Sequence, residues 1–167
     1  MINLAFNKIN IIFMALWLLI FLGSHDVFAQ QSNSVRWLTF EQLDDSLKVK
    51  PKKVFIHFYA DWCASCRKME KVAFQDTTVA AILNRDYYAV KMNVETHDTI
   101  TFGDQIFVNE RIKKRNPVHQ IALLMASRSD KPFSLPALVL MNEKFEATAR
   151  YFQYLNAEQM TGILQNE

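Results

Sequence analysis

YADWCASCRKME, residues 59–70, holds the only two cysteines of the chain, Cys63 and Cys66. A pair separated by two residues can bind a metal, staple a fold or carry electrons. The flanking residues place it in a fold. KKVFIHFYA (52–60) is a β-branched and aromatic run between Pro51 and Asp61, the pattern of a central, buried strand. Beyond Trp62, the residues Cys66, Met69, Val72 and Ala73 recur at helical spacing, with Arg67, Lys68 and Lys71 turned to water. The cysteines therefore stand at a strand-to-helix junction.

That position has chemical content. At a helix start, free backbone N–H groups and the positive end of the helix dipole stabilise an anion, so Cys63 is expected as an exposed thiolate. A thiol pKa lowered from about 8.5 to about 7 raises the thiolate fraction at neutral pH to about half. Intrinsic nucleophilicity falls with pKa, leaving about a threefold gain in attack, while the same thiolate becomes a better leaving group. Cys66, one turn further on, can reach back to resolve a mixed disulfide at Cys63. A structural staple fits poorly, because the loop it closes is too short to remove much chain entropy. Zinc also fits poorly. It usually takes four ligands, and His57, His97 and His119 show no ligand spacing.

The composition suits one domain with a sizeable core: 167 residues, 50% hydrophobic, net charge +2. The basic run RIKKR (111–115) is short and isolated, so it reads as a solvated turn and not as a nucleic-acid surface. At the N-terminus, Lys8 precedes the apolar run 11–23, which is too short for a membrane span and suits a secretory leader. Val27 and Ala29 supply the small residues of a cleavage site, giving a signal peptide at 1–29 and a mature domain at 30–167; the alternative is an uncleaved membrane anchor. Export would put the thiols in an oxidising compartment, with the periplasm as the expected location.

Along the mature domain, VRWL (35–38) reads as a short strand, and Thr39 with Gln42 forms a capping box for a helix that ends before Pro51. Asp76 caps a helix over 77–84, and 87–95 is a strand. Residues 99–108 form a hairpin around Gly103-Asp104. Asn116 as N-cap and Pro117 in the first helical position start a helix to about Arg128, with Val118, Ile121, Ala122, Leu124 and Met125 as its apolar face. A second hairpin turns at 142–144, and Asn156 caps a last helix to about Leu164. This order predicts an α/β fold with a mixed sheet covered by helices on both faces.

The motif resembles the thioredoxin superfamily. FYADWCASCRKMEKVAFQD (58–76) is most similar to the C-terminal thioredoxin-like domain of the thiol:disulfide interchange reductase DsbD and its soluble exported relatives, on Tyr59 to Cys63, Cys66, Arg67, Glu70, Phe74 and Asp76. The resemblance implies a thioredoxin fold carrying an inserted hairpin at 99–108. It also implies a redox-active disulfide between Cys63 and Cys66, and a cis proline at Pro136 in SLPALVL, with Leu135 before it as a backbone contact for substrate. Trp62 is expected as an exposed apolar contact beside Cys63. The implied activity is that of a monomeric protein-disulfide reductase or electron relay with no cofactor or metal. Its partners would be oxidised proteins and a membrane thiol reductase as electron donor. An oxidase or isomerase would use the same pair, and a binding or chaperone-like module would use the same groove without turnover.

Three departures bear on mechanism. His57 stands where thioredoxins have a buried aspartate that moves a proton on or off the second cysteine. It can relay protons itself or be a core histidine hydrogen-bonded within the sheet. Glu70 matches a glutamate of the DsbD-like domain that can supply the missing carboxylate, and Lys91 matches a lysine that partners the thioredoxin aspartate. The insertion over 99–116 either shapes partner choice or covers a sheet edge. Gln153, near a thioredoxin glycine, would narrow the substrate groove.

Overall fold

The computed structural model describes residues 34–166. The expected leader at 1–29, its expected cleavage after Ala29 and residues 30–33 lie outside the described residues.

Strand β2 (Lys53–Tyr59) is the centre of the fold. Its inner residues are all buried, because Phe55 and His57 point to one face of the sheet while Ile56 and Phe58 point to the other. It runs parallel to β3 (Tyr87–Asn93) on one side and antiparallel to β6 (Ala137–Met141) on the other. The short β1 (Trp37–Leu38) and β7 (Ala147–Tyr151) complete a five-stranded sheet in the order β1-β3-β2-β6-β7. Register sets His57 between Lys91 on β3 and Leu138 on β6.

Helices cover both faces. Helix α1 (Phe40–Val49) and α4 (Gln120–Ala126) seal the face of Ile56 and Phe58, packing Phe40, Leu43, Ile121 and Met125 against it. Helices α2 (Ala64–Val72), α3 (Thr77–Asp86) and α5 (Ala157–Asn166) seal the other face with Met69, Leu83 and Met160 around Phe55 and Phe74. Burying one such phenylalanine stabilises the fold by about 1.5–3 kcal/mol relative to leaving it in water. The mixed sheet with helices on both faces is the architecture expected from sequence.

Local chemistry fixes the element ends. Thr39 and Gln42 form the reciprocal capping box, at 3.3 and 3.0 Å. Asp76 accepts from the Thr78 and Val79 N–H groups, and Asn156 exchanges hydrogen bonds with Gln159. Strands β4 (Ile100–Phe102) and β5 (Gln105–Phe107) form the inserted hairpin, turned by Gly103 and Asp104, both at φ 58°. Positive φ at two successive turn residues gives the twist a tight hairpin needs.

Three expectations are corrected. Helix α4 starts at Gln120 with His119 as its N-cap, and Asn116 and Pro117 lie outside it. The backbone there is already engaged elsewhere. The Pro117 carbonyl accepts from Asn109 Nδ2 at 2.8 Å, and the His119 N–H donates to the Val94 carbonyl at 2.8 Å. Leu124, expected on the apolar face, is 69% exposed, because Ile121, Ala122 and Met125 define a narrower buried stripe. Val72 is likewise exposed, about a quarter of a turn off the buried line of Cys66, Met69 and Ala73.

Candidate active site

The turn between β2 and α2 is built from backbone. The Cys63 N–H donates to the Ala60 carbonyl at 3.0 Å, and the Arg67 guanidinium holds the Asp61 carbonyl. Cys63 becomes the N-cap of α2, its Sγ accepting the Cys66 N–H at 3.2 Å. Ser65 Oγ lies 3.4 Å from the same sulfur. The Cys66 N–H at the start of α2 thus points at the Cys63 sulfur, an arrangement that stabilises a thiolate.

Cys63 and Cys66 are joined as a disulfide, with Cα atoms 5.3 Å apart. Cys66 is fully buried and Cys63 is only 3% exposed, which corrects the expectation of an exposed first cysteine. In the disulfide the Cys63 sulfur is turned back into the first turn of α2, so the two cysteines differ by position on the helix more than by exposure.

Trp62 projects into solvent at 66% exposure, its indole Nε1 donating to Glu95 Oε1 at 2.8 Å. The Leu135–Pro136 peptide bond is cis, with Pro136 buried and Leu135 half-buried. Trp62 and Leu135 line one cavity of about 350 Å³, so the structure brings these two groove residues together across the fold. Gln153 is exposed and does not line that cavity.

Below the disulfide, Glu70 and Lys91 pair at 2.6 Å, each about a third exposed or less. Lys91 also sits 4.6 Å above the Tyr59 ring. Glu70 follows Cys66 by one turn of α2, so the two side chains are neighbours on the helix surface. His57 is fully buried, ringed by Phe74 at 5.0 Å, Tyr59 at 5.7 Å and Trp37 at 6.3 Å. Among the described residues neither ring nitrogen has a hydrogen-bond partner, which departs from one of the two alternatives, a core histidine hydrogen-bonded within the sheet. Burial, with the Lys91 charge adding to it, pushes the His57 pKa down to about 3, so the ring is neutral at ordinary pH.

Sequence reasoning weighed His119 only as a zinc ligand; its place in the fold is structural. Its Nδ1 accepts the Ile121 N–H at 3.3 Å, which leaves Nε2 to donate to the Asp98 carbonyl at 3.2 Å. Burial lowers its pKa as well. Asn109, which sequence reasoning passed over, is buried and ties the insertion to the Thr96 and Pro117 carbonyls. Position in sequence carried no signal for either, since both act on backbone brought near by the fold. Among the described residues no group of three or more histidine, cysteine or acidic side chains is placed to hold a metal.

The family model for the thioredoxin-like domain matches residues 40–167. The thiol:disulfide interchange protein DsbD of Salmonella typhi is 36% identical over 61 residues, covering 36% of this chain and 11% of the relative. The match thus spans only about a tenth of that relative's length. Among solved structures, a thioredoxin from Thermus thermophilus aligns with TM-score 0.57 at 17% identity, covering 80% of this chain and 86% of that one. The DsbH oxidoreductase aligns with TM-score 0.54 at 17% identity, covering 80% and 83%. At such identities the likeness to solved structures is one of fold.

Proposed function

Because the chain belongs to the thioredoxin-like family, we propose that it is an exported thiol:disulfide oxidoreductase that reduces oxidised proteins or relays electrons to them. The observation that carries this reading is the Cys63–Cys66 disulfide at the start of α2, with the Cys66 N–H of the helix aimed at the Cys63 sulfur.

In the working cycle a dithiol donor, proposed to be a membrane thiol reductase, gives two electrons and two protons to the disulfide. The Cys63 thiolate then attacks one sulfur of a substrate disulfide, forming a mixed disulfide and expelling the other substrate sulfur as a thiolate that takes up a proton. Cys66 loses its proton and attacks the Cys63 sulfur. The Cys63–Cys66 disulfide reforms, and the substrate leaves with two thiols. Trp62, Leu135 and Pro136 form the surface on which the substrate chain lies.

The proton of Cys66 is assigned to Glu70, one helical turn away and backed by Lys91. His57, with a pKa of about 3, is too weak a base to take a thiol proton at neutral pH. Its proposed part is to keep the space beneath the helix uncharged.

Insulin reduction with dithiothreitol tests the activity. The wild type is expected to accelerate it over the Cys63→Ser variant. Equal rates would reject the oxidoreductase and leave a docking module. Trapping with Cys66→Ala in the native host is expected to freeze mixed disulfides at Cys63, which names the substrates and the direction of electron flow.

A further inference from the structure

The cavity beside the disulfide is charged in one sense. Trp62 and Leu135 are among its lining residues, and Arg111, Arg128 and Lys131 supply three cations to that lining, against one carboxylate, Glu95. That carboxylate is engaged by the Trp62 indole. Glu110 and Asp130 stand exposed next to these cations in sequence and do not line the cavity.

One of the cations, Arg128, is held in place by its side chain. Arg128 donates from Nη2 to the Pro132 carbonyl at 3.1 Å and to Ser134 Oγ at 2.8 Å, and its guanidinium lies 3.9 Å over the Phe152 ring. Its Nε is buried with no hydrogen-bond partner among the described residues, a donor left over on a residue that lines the cavity. A buried unpaired N–H is costly, so an acceptor delivered by a bound molecule would relieve it. Arg111 belongs to the inserted segment, where the Arg111 N–H is bonded to Asn109 Oδ1 at 3.1 Å and buried Asn109 pins the loop. A cation fixed before binding, as Arg128 is, loses little conformational freedom on pairing, which favours recognition; at Arg111 only the backbone is fixed. The rest of the basic run, Lys113, Lys114 and Arg115, is exposed on the same turn and adds to the positive field.

We propose that this cavity receives an acidic side chain flanking the target cysteine of the substrate protein, so that the domain prefers disulfides set in acidic segments. The inference rests on the exchange activity proposed above and adds its substrate class. The insertion is then a specificity element, presenting Arg111 opposite Arg128 and Lys131 across the path of the substrate chain.

The test uses three peptide disulfides that are identical except for glutamate, glutamine or lysine at the positions flanking the reactive cysteine. Their kcat/KM for reduction is measured with dithiothreitol as donor at low and high salt, with uncharged hydroxyethyl disulfide as a reference substrate. The glutamate peptide is expected to exceed the lysine peptide by about tenfold at low salt, equivalent to about 1.4 kcal/mol, and the ratio is expected to shrink at high salt. In an Arg111→Glu, Lys131→Glu double variant the order should reverse, a gain for the lysine peptide that a misfolded protein could not show. Equal kcat/KM for the three peptides, or an unchanged order in the double variant, overturns the acidic preference alone. If neither the peptides nor hydroxyethyl disulfide reacts faster with wild type than with Cys63→Ser, the exchange activity itself fails and this inference with it.

Discussion

Replacing His57 by phenylalanine keeps an aromatic ring among Phe74, Tyr59 and Trp37 and removes the titration. In the folded protein His57 has a pKa of about 3, against 6.5 for an ordinary histidine. Throughout the window between these values the unfolded chain binds the proton and the folded one does not. Stability therefore falls as the pH drops from about 6.5 toward about 3, and it is regained on the neutral side. Between pH 7 and pH 5 the linkage relation gives a loss of about 2 kcal/mol from this one residue. For a domain of this size that is a fall in Tm of about 6–8 °C. The assay is urea or thermal unfolding of the oxidised wild type and His57→Phe at both pH values. The difference between the two proteins isolates His57, because His119, whose pKa burial also lowers, is present in both. Asp44 and Asp86, whose pKa values are lowered by hydrogen bonds to Lys48 and Arg85, are likewise present in both proteins. The wild type should lose about 2 kcal/mol more than the variant on acidification. Equal losses would refute the buried, neutral histidine, and with it the assignment of the proton to Glu70.

Glu70→Gln keeps the shape of the side chain and removes the carboxylate; it is expected to slow disulfide reduction and to displace its pH–rate profile. An unchanged profile in both Glu70→Gln and His57→Phe would exclude either residue as the proton relay. Asp76→Ala removes the acceptor for the Thr78 and Val79 N–H groups at the start of α3 and should cost about 1 kcal/mol in urea unfolding; a cost near zero would mean that water caps this helix equally well. N-terminal sequencing of the exported protein is expected to begin at Gln30, whereas a chain still starting at Met1 would favour a retained anchor.

Much of the site could be read from the chain because its parts are local. Strand, turn and helix follow one another across residues 53–72, so periodicity and the Pro51 and Asp61 boundaries were enough to seat Cys63 at a helix start. Thr39, Asp76 and Asn156 were legible as caps because a capping side chain bonds its own first turn. The start of α4 was misread because Asn116 and Pro117 satisfy a local rule while the Pro117 carbonyl is claimed by Asn109 and the His119 N–H by Val94, partners brought there by the fold.

The sequence by itself determined the strand-to-helix seat of the cysteines, both hairpins and the alternation of layers, since each depends on residues within a few positions of one another. Only the tertiary structure decided that Glu70 pairs with Lys91, that His57 sits without a hydrogen bond in an aromatic shell, and that Arg111, Arg128 and Lys131 converge beside Trp62. Charge pairing, desolvation and shared cavity walls depend on distance in space, and that distance is set by the packing of helices on both faces of β2.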